Sequence, residues 1–234
     1  MTNLAIIPAR GGSKRIPRKN IRAFHGTPIV CHVIRTAREC GVFAEVMVST
    51  DDEEIAGIAR DCGASVPFMR SAATAGDNAT TLEVLREVVA GYRDAAQAFD
   101  ALCCVYPTAV LTQPATLRSG WDLLQQNSEA ACVLGVVPFG HPAQRALVVR
   151  NGRLHMLLPQ HVHSRTQDLE RTYHDAGQWY WLRTDALRDP GFRILGPTAV
   201  PVVLDAREVQ DIDTEQDWAL AEAKYQLLQG RTSR

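Results

Sequence analysis

Arg10, Lys14 and Lys19 near the start of the chain, and Asp211 and Asp213 near its end, are the residues whose types and spacing can do chemistry. The cations belong to the run Ala9-Arg10-Gly11-Gly12-Ser13-Lys14-Arg15-Ile16-Pro17-Arg18-Lys19-Asn20, which follows the apolar segment Leu4–Pro8. Glycine lets backbone N–H groups approach an anion closely, and Lys and Arg add charge and directed donors. No acid precedes Glu39, so nothing local neutralises the loop. It reads as a polyphosphate cradle, with Ala9, Arg10, Gly11, Gly12, Ser13 and Lys14 nearest the phosphates. It has neither the spacing of a Walker A loop nor that of the G-x-G-x-x-G dinucleotide turn. The bland alternative is a solvated basic loop, which describes Arg15 and Arg18 as well as ligand binding does.

The acids stand in Gln210-Asp211-Ile212-Asp213-Thr214. In an extended segment, residues two apart face the same way, so both carboxylates reach one cation. Such a pair suits Mg2+, which takes few protein oxygens and keeps substrate phosphates among its ligands. A helix cap at Asp213 or Thr214 needs one oxygen and leaves Asp211 unexplained. One metal ion or two stays open.

Two further groups can contact a substrate. Arg70 follows a short apolar stretch, and Asp77-Asn78-Ala79-Thr80-Thr81 leads into a helical pattern. A helix N-terminus with hydroxyls, here Thr80 and Thr81, suits a base or a phosphate, although ordinary capping accounts for Asn78 or Thr80 nearly as well. Arg165-Thr166-Gln167-Asp168 and Tyr173-His174-Asp175-Ala176-Gly177-Gln178-Trp179-Tyr180-Trp181 combine aromatic faces, amides and a guanidinium, which suits a polar sugar bearing a carboxylate. His161, His163 and His174 lack a neighbouring Cys or a helical H-x-x-x-H pair, so they make a weak zinc signal. His174 and Asp175 as an acid–base pair rank below a substrate-contact role.

The elements that must position these residues alternate along the chain. Leu4–Pro8, Val46–Ser49, Val66–Met69, Leu102–Val105 and Ala131–Val137 read as buried strands. Helical patterns run over Pro28–Cys40, from a Thr50–Glu53 capping box to about Gly63, over Leu82–Tyr92 and over Pro114–Gln126. This rhythm predicts an α/β fold, a doubly wound and mostly parallel sheet with helices on both sides. It breaks at Ala146–Val149 and Arg153–Leu157, which flank Asn151-Gly152 as a hairpin. Residues 159–175 are polar and irregular, so a protrusion is expected at about 140–175 within a single 1–234 domain. Gln178–Leu182 and Ala199–Val203 return to strand patterns, and Thr214 opens a closing helix to Leu228.

The bulk numbers bound the function. The chain has 234 residues, 46% hydrophobic and 22% charged, with a net charge of −1, so neither nucleic acid nor membrane is an expected partner. Charge is polarised instead: Asp205 to Glu222 holds seven acids against Arg207 alone. Cysteines 31, 40, 62, 103, 104 and 132 form no C-x-x-C pair and sit mostly among apolar residues, which predicts buried reduced thiols and a cytoplasmic setting. The apolar run before Arg10 is too short for a signal sequence.

Ile6-Ile7-Pro8-Ala9-Arg10-Gly11-Gly12-Ser13-Lys14 with Pro17-Arg18-Lys19-Asn20 resembles the N-terminal signature of the CMP-sialic acid synthetases, the acylneuraminate cytidylyltransferases. Ser49-Thr50-Asp51-Asp52-Glu53-Glu54-Ile55-Ala56, Pro107-Thr108 and Asp211-Ile212-Asp213-Thr214-Glu215 resemble later parts of that family. Within it, Cys103-Cys104-Val105-Tyr106-Pro107-Thr108-Ala109, Gln144-Arg145-Ala146-Leu147, Gln167-Asp168-Leu169 and Tyr173–Gln178 are similar to pseudaminic acid cytidylyltransferases. Tyr106 stands where many sialic acid enzymes carry a sugar-contacting Gln, which favours a differently configured nine-carbon sugar.

The resemblance implies a nucleotide-diphospho-sugar transferase-like fold whose protrusion mediates homodimerisation and lends residues to the partner's site. It implies Mg2+-dependent reaction of CTP with a nonulosonic acid, pseudaminic acid preferred, giving a CMP-sugar and pyrophosphate. In that scheme Arg10, Lys14 and Lys19 hold the triphosphate, and Asp211 and Asp213 hold the metal. Asn20, Arg70, Thr80 and Thr81 address the nucleotide, while Tyr106, Gln144, Arg145, Arg165, Gln167, Tyr173, His174 and Gln178 face the sugar. The rivals are a sialic or legionaminic acid synthetase, an enzyme of 3-deoxy-manno-octulosonate, whose relatives lack Pro17-Arg18-Lys19-Asn20, and a catalytically silent nucleotide-sugar binder.

Overall fold

Strands built from Val, Ile, Leu, Met and Cys without polar alternation must be covered on both faces. In the computed structural model, which describes residues 2–232, Leu4–Ile7, Ala101–Val105 and Cys132–Val137 are buried throughout, whereas the edge segment Ala199–Val203 is partly exposed. The strands β1 (Asn3–Pro8), β4 (Glu45–Ser49), β5 (Ala101–Val105), β6 (Cys132–Pro138), β9 (Tyr173–Arg183) and β10 (Ala199–Val203) form one sheet in the order β10-β6-β9-β5-β1-β4. All are parallel except β9, which lies antiparallel between β5 and β6. Two short pairs stand apart, β2 (Ala23–Phe24) with β3 (Thr27–Pro28), and β7 (Leu147–Arg150) with β8 (Arg153–Met156).

Successive strand residues point to opposite faces, and the core divides accordingly. Ile7, Val48, Cys103, Val133 and Trp181 pack under the helices α1 (Ile29–Cys40), α2 (Glu53–Asp61), α5 (Pro114–Gln126) and α6 (Glu215–Thr232). Leu4, Ile6, Met47, Leu102 and Leu134 pack on the other face, under α4 (Thr81–Asp94) and the segment carrying Leu187 and Phe192. A four-residue helix, α3 (Ala72–Ala75), precedes α4. The doubly wound, mostly parallel sheet expected from the sequence is therefore present.

Four local expectations need correction. Val66–Met69 forms no strand: Ser65 makes one bridge to Met47, and Pro67, with no N–H to donate, stops the ladder there. Thr50 is not the cap of α2. Asp52 is, its side chain accepting the Ile55 N–H at 3.0 Å, while Thr50 Oγ1 accepts from the Asp52 N–H. Reduced thiols hold for Cys40, Cys103, Cys104 and Cys132, all buried, but Cys31 and Cys62 are joined as a disulfide between α1 and the end of α2. Their separation of 31 residues carries no recognisable spacing, so only the packing of the two helices brings them together. Finally, β9 begins at Tyr173, inside the stretch read as irregular.

The hairpin is as expected. Asn151 and Gly152 have φ of 51° and 73°, the doubly positive turn that matches strand twist. Val149 and Leu154 on its strands are 70% and 69% exposed, an unusual situation for aliphatic side chains on paired strands. Among the described residues, no helix is long and apolar enough to cross a membrane.

Candidate active site

A cavity of about 520 Å3 opens beyond the C-terminal ends of β1 and β5, where open α/β sheets bind ligands. The loop that follows β1 forms one wall. Its course is fixed by its own polar contacts with the start of α2. Gly11 donates its N–H to Asp51 Oδ1 at 2.9 Å, and a Cβ on Gly11 would sit 2.7 Å from Asp52 Oδ2. Glycine is thus demanded here by close approach, whereas Gly12 faces open space. Arg18, in the left-handed region at φ 53°, pairs with Asp52 and Glu54. Its guanidinium holds the Asp52 carboxyl below the usual carboxylate range. Of the two cations that sequence left open, Arg18 is therefore a strut of the loop, and Arg15 joins the site, 2.7 Å from Asp213.

The remaining cations face inward. Arg10, Lys14 and Lys19 line the cavity together with Ser13 and Asn20. Asn20 is buried and donates from Nδ2 to the Arg10 carbonyl at 2.9 Å, which sets the loop's curvature. Ala9 is wholly buried, with its N–H given to the Ser49 carbonyl, and Gly11 and Gly12 lie in an adjoining groove rather than in the cavity. Arg70 is buried and lines the wall, donating to Ser49 Oγ and the Ser49 carbonyl at 3.0 and 2.6 Å. Burial lowers its pKa from the ordinary arginine value, although a guanidinium stays charged. Thr81 lines the cavity at the start of α4, but Thr80 is spent on a complete capping box with Glu83.

The opposite wall carries the acids. Asp211 and Asp213 both line the cavity, as the two-residue spacing predicts. Asp213 pairs with Arg15 and Lys19, whereas among the described residues the Asp211 carboxylate accepts no hydrogen bond and joins no ion pair. The surrounding wall and then the nearby Asp213 charge raise the Asp211 pKa. An unpaired acid held beside a second acid is a group short of a cation, and that is the donor set a hard divalent ion takes. Among the described residues no three His, Cys, Asp or Glu side chains form a full metal cage. The fit is to an ion that completes its shell with substrate and water.

A bulge in β9 shapes the floor. One residue separates Leu134 from Val136 on β6, while their partners Tyr180 and Asp175 on β9 are five apart. The extra residues carry Gly177, at φ 60°, to within 3.6 Å of the Asp211 carboxylate carbon, measured from where a Cβ would be. Asp175 clamps the bulge, accepting the Gly177 N–H at 2.9 Å and the Tyr180 hydroxyl at 2.6 Å. Tyr106 completes this wall, 2.7 Å from Thr81 Oγ1, with burial pushing its phenol up to about 12.

Of the sugar-side candidates, Tyr106 alone lines the cavity. Gln178 is buried beneath the bulge, its Nε2 donating to the Gln210 carbonyl at 3.2 Å, so it props the acidic segment. Gln144 donates to the Glu170 carbonyl, Arg165 pairs with Asp168, and Arg145, Gln167, Tyr173 and His174 lie with them outside the cavity. The cavity also contains Asp77, Asp175, Tyr180 and Thr108, which stand in motifs read from the sequence but were given no place among the nucleotide or sugar contacts. The preponderance of loop cations over local acids was the one signal that pointed to a distant acid such as Asp77.

The chain matches the family model described as Cytidylyltransferase over residues 4–176. It is 39% identical to a pseudaminic acid cytidylyltransferase of Campylobacter jejuni, over 97% of each chain. It is 30% identical to a CMP-N,N'-diacetyllegionaminic acid synthase of Legionella pneumophila, over 98% of each chain. The fold matches the solved structure of a CMP:2-keto-3-deoxy-manno-octonic acid synthetase complexed with CTP at a TM-score of 0.69, covering 98% of this chain and 100% of that one at 18% identity.

Proposed function

The chain belongs to the cytidylyltransferase family, and on that premise we propose that it couples CTP to a nonulosonic acid, pseudaminic acid preferred, releasing pyrophosphate. The observation that carries this reading is the convergence of Arg10, Lys14 and Lys19 with Asp211 and Asp213 around one cavity. Nucleotidyl transfer asks a protein for positioning and charge neutralisation rather than for covalent chemistry. Those are what this arrangement offers.

The anomeric hydroxyl of the sugar attacks the α-phosphorus of CTP, and pyrophosphate departs in line. Arg10 and Lys14 bind the departing phosphates. Lys19 is held by the Ile212 carbonyl and Asp213, so its charge stays at the junction between phosphates and acids. Arg70, with Asn20 and Thr81 across the cavity, bounds the nucleotide half. Asp211 and Asp213 are the residues that would hold Mg2+. When bound, that ion supplies charge neutralisation at the phosphates and lowers the pKa of a coordinated hydroxyl. In this reading Asp211, whose carboxylate has no hydrogen bond or ion pair among the described residues, takes the attacking hydroxyl's proton.

Tyr106 supports the sugar preference, since it stands in the cavity where a glutamine would present an amide. Names of relatives at 38–39% identity point the same way. A homodimer is part of this reading. Among the described residues, nothing covers the apolar hairpin strip of Leu147, Val149 and Leu154. In this reading the strip is buried against a second copy, and Gln144, Arg145, Arg165 and Gln167 serve the partner's site, as the family resemblance implies. Dependence on CTP places the reaction in the cytoplasm in this reading, although the Cys31–Cys62 bridge runs against a strongly reducing setting.

A pyrophosphate-release assay with CTP and a panel of nonulosonic acids tests the proposal. Release with pseudaminic acid and Mg2+ is expected. Release only with sialic or legionaminic acid overturns the sugar preference, and none with any sugar overturns the activity.

A further inference from the structure

Asp77 lies between α3 and α4 and bridges the two cations nearest the glycine turn. Its Oδ1 is 2.6 Å from Arg10 Nη1, and its Oδ2 pairs with Lys14. Two anionic oxygens of one group on adjacent cations make the same kind of contact as an edge of a phosphate. The bridge is open to solvent, with Lys14 79% and Asp77 43% exposed, so each pair is worth little and exchanges readily.

The segment around Asp77 is pinned at both ends and loose between them. Ser71 donates to Glu87 at 2.7 Å on one side, and the Thr80–Glu83 box closes the other. Among the described residues, the ion pairs of Asp77 are the polar ties that join residues 76–79 to anything outside that segment. They also divide two concavities. The 520 Å3 cavity and the 430 Å3 groove lined by Gly11 and Gly12 share Arg10, Ser13, Lys14, Gly76 and Asp77 as their common wall. Opening the bridge joins groove to cavity.

We propose that Asp77 is a positioning residue that occupies the phosphate-binding cations between turnovers and competes with bound phosphates for them. A triphosphate displaces the carboxylate as it enters, opening the groove. Return of Asp77 to Arg10 and Lys14 then speeds departure of pyrophosphate. This rests on the loop being the phosphate cradle of the proposed reaction. It predicts that removing the negative charge strengthens phosphate binding, the reverse of what losing a structural support would do.

The test measures binding of inorganic pyrophosphate by calorimetry in Mg2+ buffer, and inhibition of turnover by added pyrophosphate. Asp77→Asn should bind pyrophosphate about tenfold more tightly, with a matching fall in its inhibition constant, and Asp77→Glu should restore the wild-type values. Unchanged or weaker binding by a folded Asp77→Asn protein overturns the proposal. Should that variant not fold, Asp77→Ser takes its place in the same titrations, with the same tightening expected, and unchanged or weaker pyrophosphate binding overturns the proposal. Tightened pyrophosphate binding without turnover on any sugar leaves the latch standing and sinks the proposed activity instead.

Discussion

Lys19 Nζ donates to the Ile212 carbonyl at 2.6 Å and lies 3.4 Å from Asp213 Oδ1, tying the cationic loop after β1 to the acidic segment across 194 residues of chain. Lys19 is 21% exposed, so this contact is better shielded from water than the pairs of Arg10 and Lys14 at the mouth. One side of the cradle is fixed and the other exchangeable. The two halves of the site keep their spacing because the loop and the acids share this tie.

Asp211→Asn should separate activity from stability. A carboxyl whose folded pKa is raised above its unfolded value disfavours the folded state at neutral pH, and that penalty is relieved as pH falls through the folded pKa. Removing the charge should therefore raise Tm slightly while reducing turnover by about 100-fold or more, a trade-off common at functional sites. A lowered Tm, or near-normal turnover, would count against the assignment. In the metal-free wild type, stability should therefore rise as pH falls through the folded pKa of Asp211, and the Asp211→Asn variant should lack that dependence in thermal melts.

The two adjacent glycines should respond oppositely to alanine. At Gly11 the new Cβ meets the Asp52 carboxylate, displacing the cap of α2 and its bond to Arg18, whereas at Gly12 it meets nothing. Gly11→Ala should lower Tm by several degrees and raise the KM for CTP, and Gly12→Ala should leave Tm within a degree. Parallel thermal melts and CTP titrations decide it.

Asp52 both caps α2 and anchors Arg18, so Asp52→Ala should lose more than the roughly 1 kcal/mol of an ordinary cap. Asp52 is held below the usual carboxylate range, so its share of stability is present above the unfolded pKa and lost as pH falls through the folded one. Arg18→Ala combined with Asp52→Ala should cost less than the sum of the single changes in urea melts, because both remove one contact.

Val149→Asp in the hairpin should yield a monomer by light scattering, with Tm of the chain little changed because Val149 is 70% exposed in the single chain. If the hairpin strip pairs two copies, sugar KM should rise far more than CTP KM. A wild-type protein that is itself monomeric at assay concentration rules out the dimer.

The sequence by itself determined the architecture, the glycine-and-cation loop after β1 and the shared direction of Asp211 and Asp213. Buried strands announce themselves by unbroken apolar runs, Asn151-Gly152 by its backbone preference, and Asp211 and Asp213 by a spacing that extended chain converts into a shared direction. These are local properties, readable within a few residues. What the tertiary structure decided were matters of which distant groups meet. Arg18 and Arg15 look alike in the sequence, yet the start of α2 claims one and Asp213 the other. Asp77 looks like part of a helix lead-in until α3 and α4 fold it over Arg10 and Lys14. Gln178 reads as a sugar contact because its neighbours are aromatic and polar, but the β9 bulge turns its amide toward Gln210 beneath the cavity. Ion pairs and bulges depend on the relative placement of elements far apart in the chain, and no local pattern carries that placement.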